Sequence, residues 1–104
     1  MTPRRPSPPR SSSPTLEALI AQVESHRASG RLDEAAALYE AWIAANDTPA
    51  RAVAQFNLGV LRSDLGDLDA AEAAYAAALT INPRLQQARI NAGLIAERKH
   101  QDVD

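Results

Sequence analysis

The chain has 104 residues, 45% apolar and 23% charged, with a formal net charge of −2 and no cysteine. That length allows one small domain, and without cysteine there is no disulfide framework, thiolate metal site or cysteine nucleophile. Alanine, the strongest helix former, occupies 22 positions and β-branched runs are absent, so the expected class is all-α.

Residues 1–14 hold five of the seven prolines (Pro3, Pro6, Pro8, Pro9 and Pro14), with arginine and serine supplying most of the rest. Such a composition cannot bury enough apolar surface to offset the entropy of ordering. A disordered or locally polyproline II tail is expected. Arg4-Arg5-Pro6-Ser7 has the pattern of a basophilic kinase site, and Pro3, Pro6 and Pro9 give PxxP spacing. Short Pro/Ser/Arg tails match both patterns readily, so the plain reading is an untethered tail. No apolar run follows the arginines, so a secretory signal is not expected. Nor does any stretch approach the roughly 18 apolar residues of a membrane span. A cysteine-free chain of this kind fits a reducing compartment, and the cytoplasm is the expected location. The first 14 residues carry +3, whereas residues 15–104 hold 8 basic against 13 acidic residues, a charge of −5. A net acidic body argues against nucleic acid as the main partner.

Five helices are expected over residues 15–100. The first begins at Ser13-Pro14 or Thr15 and runs to about Ala28, with Gly30 ending it. The second covers about Leu32 to Ala45. Thr48 is the expected cap of the third, with Pro49 at its first position, where a missing N–H does no harm. Gly66 stops that helix in a left-handed turn. The fourth runs from about Leu68 to Ile81 and breaks at Asn82-Pro83. The fifth spans roughly Arg84 to Lys99, and residues 101–104 fray.

The elements repeat. Gly30-Arg31-Leu32-Asp33-Glu34-Ala35 is echoed by Gly66-Asp67-Leu68-Asp69-Ala70-Ala71 at an offset of 36, which also takes Tyr39 to Tyr75 and Ile43 to Leu79. Asn57-Leu58-Gly59 recurs as Asn91-Ala92-Gly93 at an offset of 34. A period of this length marks stacked helix pairs. The extra two residues fall near Asn46-Asp47-Thr48, a loop, where insertion costs least. In the fourth helix Leu68, Ala71, Tyr75, Ala78 and Leu79 form one stripe by three-and-four spacing. Leu32, Ala35, Tyr39, Trp42 and Ile43 do so in the second. The opposing surface expected on the third helix is Ala54, Leu58, Leu61 and Leu65. Gly59 lies on that side, and its expected role is to leave room for a ring such as Tyr75.

These residues carry a resemblance. The unit from Ala52 to Leu85 resembles a tetratricopeptide repeat, with Leu58-Gly59, Gly66, Ala71, Tyr75, Ala78 and Pro83 at the family's positions. The first unit matches from Gly30 to Tyr39, and the third is a leading helix only. The family's early tryptophan is replaced by Leu19, Gln55 and Arg89. The resemblance covers about 85 residues and implies an α-solenoid of about five antiparallel helices, two and a half repeats. In such a fold the leading helix of each pair lines an inner, concave face.

The third helix has a second apolar stripe, Val53, Phe56 and Val60, and a helix apolar on two faces wants two partners. In the family register Ile20, Phe56 and Ile90 share one inner-face position. Val60 and Leu94 share another, which Glu24 holds in the first repeat. Asn57 and Asn91 lie beside this stripe, and a side-chain amide can both donate to and accept from a peptide backbone. The candidate partner-binding residues are therefore Ile20, Val53, Phe56, Asn57, Val60, Ile90, Asn91 and Leu94. The competing reading is that these side chains only pack on neighbouring helices and follow repeat consensus. The asparagine pair is similar to the ladder on the repeat arrays of O-linked N-acetylglucosaminyltransferases. The basic clamp by which some tetratricopeptide co-chaperones hold a C-terminal carboxylate is not reproduced. Ile20, Glu24, Gln87 and Asn91 stand at its positions, and only Asn57 agrees.

Catalytic chemistry is not expected. Asp64, Asp67, Asp69 and Glu72 cluster around a turn without the spacing or sixth-position glycine of a calcium loop. Acids at a helix N-terminus explain them better. His26 and His100 have no metal-ligand spacing, and no phosphate-binding glycine loop is present. Tyr39, Tyr75 and Trp42 read as core aromatics. The expected function is a protein-protein interaction module that needs no enzyme activity, cofactor or metal. It would bind a peptide or partner helix, without nucleic acid or membrane. Two alternatives remain: a substrate-reading repeat fragment of a glycosyltransferase, and a scaffold that self-assembles as a homo-oligomer through the Leu94-Ile95 edge of its last helix.

Overall fold

The computed structural model of the chain describes residues 15–101. They form α1 (Leu16–Ala28), α2 (Leu32–Ala45), α3 (Arg51–Asp64), α4 (Leu68–Ile81) and α5 (Gln86–Gln101). Consecutive helices pack against each other in order along the chain. The expectations for residues 1–14 and 102–104 lie outside the described residues.

Local chemistry sets the helix ends. The Thr15 hydroxyl accepts from the Ala18 amide at 3.2 Å, capping α1. At the other end Gly30 takes φ +76, its amide bonds the Arg27 carbonyl, and the Arg31 amide bonds the His26 carbonyl. The same pair of bonds closes α3, where Gly66 (φ +83) bonds Ser63 and Asp67 bonds Arg62. This double bond with a left-handed residue is the Schellman arrangement, and it satisfies carbonyls that the helix itself leaves open. The short turn it makes brings each pair of helices back antiparallel. Asp67 then caps α4, accepting from the Ala70 amide at 3.3 Å.

The entry to α3 differs from expectation. Thr48 does not cap it through its side chain, and Pro49 is not its first residue. Instead the Thr48 and Pro49 carbonyls accept from the Arg51 and Ala52 amides, so a turn with i→i+3 bonds leads into a helix that starts at Arg51. The start of α5 also lies two residues later than expected. The Asn82 side chain accepts from the Arg84 amide at 3.1 Å, holding Pro83-Arg84 as a turn. The helix then runs through Gln101, two residues beyond the expected end.

The core is in two parts that share α3. The first joins Leu19 and Val23 of α1 with Ala35, Ala36, Tyr39, Trp42 and Ile43 of α2, Ala54, Leu58 and Leu61 of α3, and Ala74 of α4. The second joins Ala71, Tyr75 and Ala78 of α4 with Ala88 and Ile95 of α5, and Phe56 and Val60 of α3 pack against it. Tyr39 and Tyr75 are each 2% exposed and hold equivalent places in successive hairpins. Alanine dominates the contacts, which lets the axes approach closely. At Gly59 the approach is extreme, since a Cβ there would lie 2.6 Å from Cε1 of Tyr75. Leu65 departs from expectation. It is 39% exposed, because it sits at the α3 C-cap and borders an open groove beside Ala36 and Arg62.

Candidate functional site

Two recesses lie on the face shared by α1, α3 and α5, one repeat apart. The first, of about 160 Å³, is lined by Ile20, Glu24 and Arg27 of α1, Tyr39 of α2, and Asn57 and Val60 of α3. The second, of about 260 Å³, is lined by Val60, Ser63 and Asp64 of α3, Tyr75 of α4, and Asn91, Leu94 and Arg98 of α5. The repeat relates their central positions, Glu24, Tyr39, Asn57 and Val60 of the first corresponding to Val60, Tyr75, Asn91 and Leu94 of the second. A tyrosine forms the floor of each, and an asparagine and an aliphatic residue come from the following helix. Where the first has Glu24 the second has Val60, while the acid of the second recess is Asp64, so each recess has one carboxylate and one arginine in its wall.

The asparagines are oriented from below. Asn57 Nδ2 donates to the Tyr39 hydroxyl at 3.2 Å, and Asn91 Nδ2 donates to the Tyr75 hydroxyl at 3.4 Å. Burial pushes both tyrosine hydroxyls above their ordinary pKa, opposed by these hydrogen bonds. Gln87 in turn donates to Asn91 Oδ1 at 3.0 Å. An amide has two N–H donors and an oxygen acceptor. Each asparagine therefore keeps an N–H for another molecule, and Asn57 keeps its oxygen too. One polar bridge crosses each gap between neighbouring helices: Arg27 to Asp64 at 3.3 Å, and Arg98 to Ser63 Oγ at 3.1 Å.

Not every expected site residue gathers here. Asn57, Val60, Asn91 and Leu94 line the recesses, and Ile20 lines the first while packing on its core. Phe56 is half-buried, its ring 5.8 Å from that of Tyr75 and tilted by 49°, so α4 covers much of it. Val53 and Ile90 line neither recess and are 40% and 54% exposed. Sequence reasoning missed Arg27, Ser63, Asp64 and Arg98 as wall residues. The signal was present, since the repeat offsets map Arg27 onto Ser63 and Asp64 onto Arg98.

The acidic cluster divides among separate partners. Asp64 takes Arg27, Asp67 caps α4, and Asp69 and Glu72 hold Lys99 at 2.6 and 2.9 Å. The hydrogen bonds that the Lys99 ammonium donates to Asp69 and Glu72 raise its pKa. His26 Nδ1 lies 3.0 Å from the Gln22 carbonyl of its own helix. Among the described residues no three His, Cys, Asp or Glu side chains are grouped to hold a metal ion. No described helix is long and apolar enough to cross a membrane.

The model of the tetratricopeptide repeat family matches residues 20–85. The chain belongs to that family. The match runs from within α1 to the turn before α5, so it takes in both tyrosine floors and the Gly59 contact. Tetratricopeptide repeats generally mediate protein–protein interaction. No curated protein and no solved structure matches the chain.

Proposed function

We propose that this tetratricopeptide protein is a peptide-binding module. Its ligand lies across α1, α3 and α5, with side chains in the two recesses and its backbone beside Asn57 and Asn91. The observation that carries this reading is the duplication of the recess: tyrosine floor, oriented asparagine and aliphatic wall recur one repeat apart. A buried tyrosine hydroxyl that fixes the amide reduces the rotamer entropy lost when a ligand bonds to it. The walls specify the ligand's character. Glu24, exposed beside Arg27, favours a basic or hydrogen-bond-donating side chain in the first recess, and Val60 with Leu94 favours an apolar one in the second, where Asp64 is already paired with Arg27. Phe56 supports this surface from behind more than it touches the ligand.

A random-peptide display library tests the proposal. The wild-type chain is expected to enrich peptides that pair a basic with an apolar residue. The double variant Glu24→Lys with Leu94→Lys is expected to lose them while keeping its helical circular dichroism, because both positions are exposed. If the folded double variant enriches the same peptides as the wild type, the proposal fails.

A further inference from the structure

The two recesses differ in what their polar groups have left to offer. In the first, Asn57 bonds the Tyr39 hydroxyl through one N–H, so its oxygen can accept and its second N–H can donate. In the second, Gln87 donates to Asn91 Oδ1 at 3.0 Å, and the Tyr75 hydroxyl takes one N–H of the same amide. What remains at Asn91 is a donor. The charges along the inner face differ in the same sense. Arg27 lies between two carboxylates, 3.3 Å from Asp64 and 3.8 Å from Glu24. Arg98 holds the repeat position of Asp64, at an offset of 34, and faces Ser63, the counterpart of Arg27. It donates to the Ser63 hydroxyl at 3.1 Å, a neutral acceptor, and among the described residues no carboxylate pairs with it. Only one of the five guanidinium N–H donors is used there, and the positive charge is left uncompensated. The row Glu24, Arg27, Asp64, Arg98 thus alternates in sign and ends on an unpaired cation.

We propose that Arg98 is a specificity-determining residue, selecting ligands that carry an acidic side chain beside the apolar one in the second recess. The inference rests on the proposed peptide site and deepens it. Leu94 and Arg98 both line that recess and are four residues apart, so they are neighbours on one face of α5. An apolar ligand side chain against Val60 and Leu94 brings the adjoining residues of an extended chain past Asn91 and Arg98. The Asn91 N–H then bonds a backbone carbonyl, and the guanidinium takes the carboxylate, which its planar fork fits. Asp64 stands in the same wall, but Arg27 already neutralises it, so it does not reserve the recess for a cation. With Glu24 at the other end of the row, the ligand is basic over α1 and acidic over α5, and the charges fix its direction. Arg98 is none of the carboxylate-clamp positions, and the group it takes is a side chain, not a chain terminus.

The probe is a random-peptide library displayed through its C-terminus, so that no free chain end supplies a carboxylate. The wild-type full chain is expected to enrich peptides with Asp or Glu beside the apolar residue. Arg98→Glu should enrich Lys or Arg there, and Arg98→Gln neither. A labelled peptide from the wild-type pool, and its copy with the acid changed to the amide, are then titrated with each chain. The amide copy should bind wild type about two- to fivefold more weakly, the range for an exposed ion pair, and Arg98→Gln should not distinguish the two. Ser63→Ala should keep the wild-type preference, because it removes the tether and leaves the charge. The inference is overturned if Arg98→Gln still discriminates, or if it weakens both peptides equally, as a merely structural arginine would. Enrichment of basic and apolar residues without acids overturns it alone and leaves the peptide site standing. A wild-type chain that enriches no peptide overturns both.

Discussion

The Asn57 amide and the Tyr39 hydroxyl are hydrogen-bonded at 3.2 Å, joining α3 to α2 across the floor of the first recess. The pair Asn91 and Tyr75 repeats the bond between α5 and α4 at 3.4 Å. One interaction therefore does two things: it satisfies a phenol that packing has removed from water, and it aims an amide at the open face.

Removing the hydroxyl separates these roles. Tyr39→Phe should lower stability by about 1 kcal/mol, the usual net value of such a bond, with helical content unchanged. Tyr75→Phe should have the smaller effect, since its bond is longer. Urea denaturation of both variants measures this, and equal stability of Tyr39→Phe and wild type would show that the bond contributes nothing.

The two mid-helix glycines should respond in opposite directions to the same substitution. Gly59→Ala gains about 1 kcal/mol of helix propensity but drives a methyl into the Tyr75 ring, an overpacking worth about 1–3 kcal/mol. The ring is buried and tied to Asn91, so it cannot swing away, and net destabilisation is expected. Gly93→Ala has only the propensity gain and should stabilise the chain. Thermal melts of the two variants decide it. A Gly59→Ala protein that melts above wild type would refute the close approach.

High pH should weaken the fold through the tyrosines. Burial raises the pKa of Tyr39 and Tyr75 above 10.0, so the folded state holds their protons more tightly than the unfolded state. Stability from this source is complete below pH 10.0 and is lost as pH rises toward the folded-state values. Lys99 has the same sign, because Asp69 and Glu72 raise its pKa above 10.5. Denaturant midpoints should fall across this window, and the fall should be shallower in the variant with both Tyr39→Phe and Tyr75→Phe. A double variant as pH-sensitive as wild type would place the effect elsewhere.

Lys99 also fastens α5 to the start of α4. Its ammonium pairs with two carboxylates at the surface, where salt screens such contacts. Lys99→Gln should speed amide hydrogen exchange in α5 ahead of the rest of the chain, and added salt should do the same to wild type. Unchanged α5 exchange in the variant would mean that Ala88 and Ile95 alone hold the helix.

Much of this was legible in the sequence because short-range rules control it. Gly30 and Gly66 stop helices through their own backbone freedom, and the echo at 36 residues placed Tyr39 and Tyr75 in equivalent hairpins. The entry to α3 was less legible. Thr48-Pro49 has the composition of a cap, but the chain leaving α2 makes a turn first, and that turn takes up the residues a cap would have used. Leu65 misled for a related reason: helical spacing places it on the core stripe, yet the Gly66 turn leaves it beside an open groove.

The candidate site divides along the same line. Periodicity alone determined that α3 is apolar on two sides and that Asn57 and Asn91 share one repeat position. Tertiary structure decided what those sides meet. It gave Phe56 to Tyr75, left Ile90 and Leu94 uncovered, and turned each asparagine toward a buried phenol. Spacing along a helix fixes direction around its axis, which the sequence carries in full. Whether another helix lies in that direction depends on contacts between residues far apart in the chain, and only the packed fold brings those together.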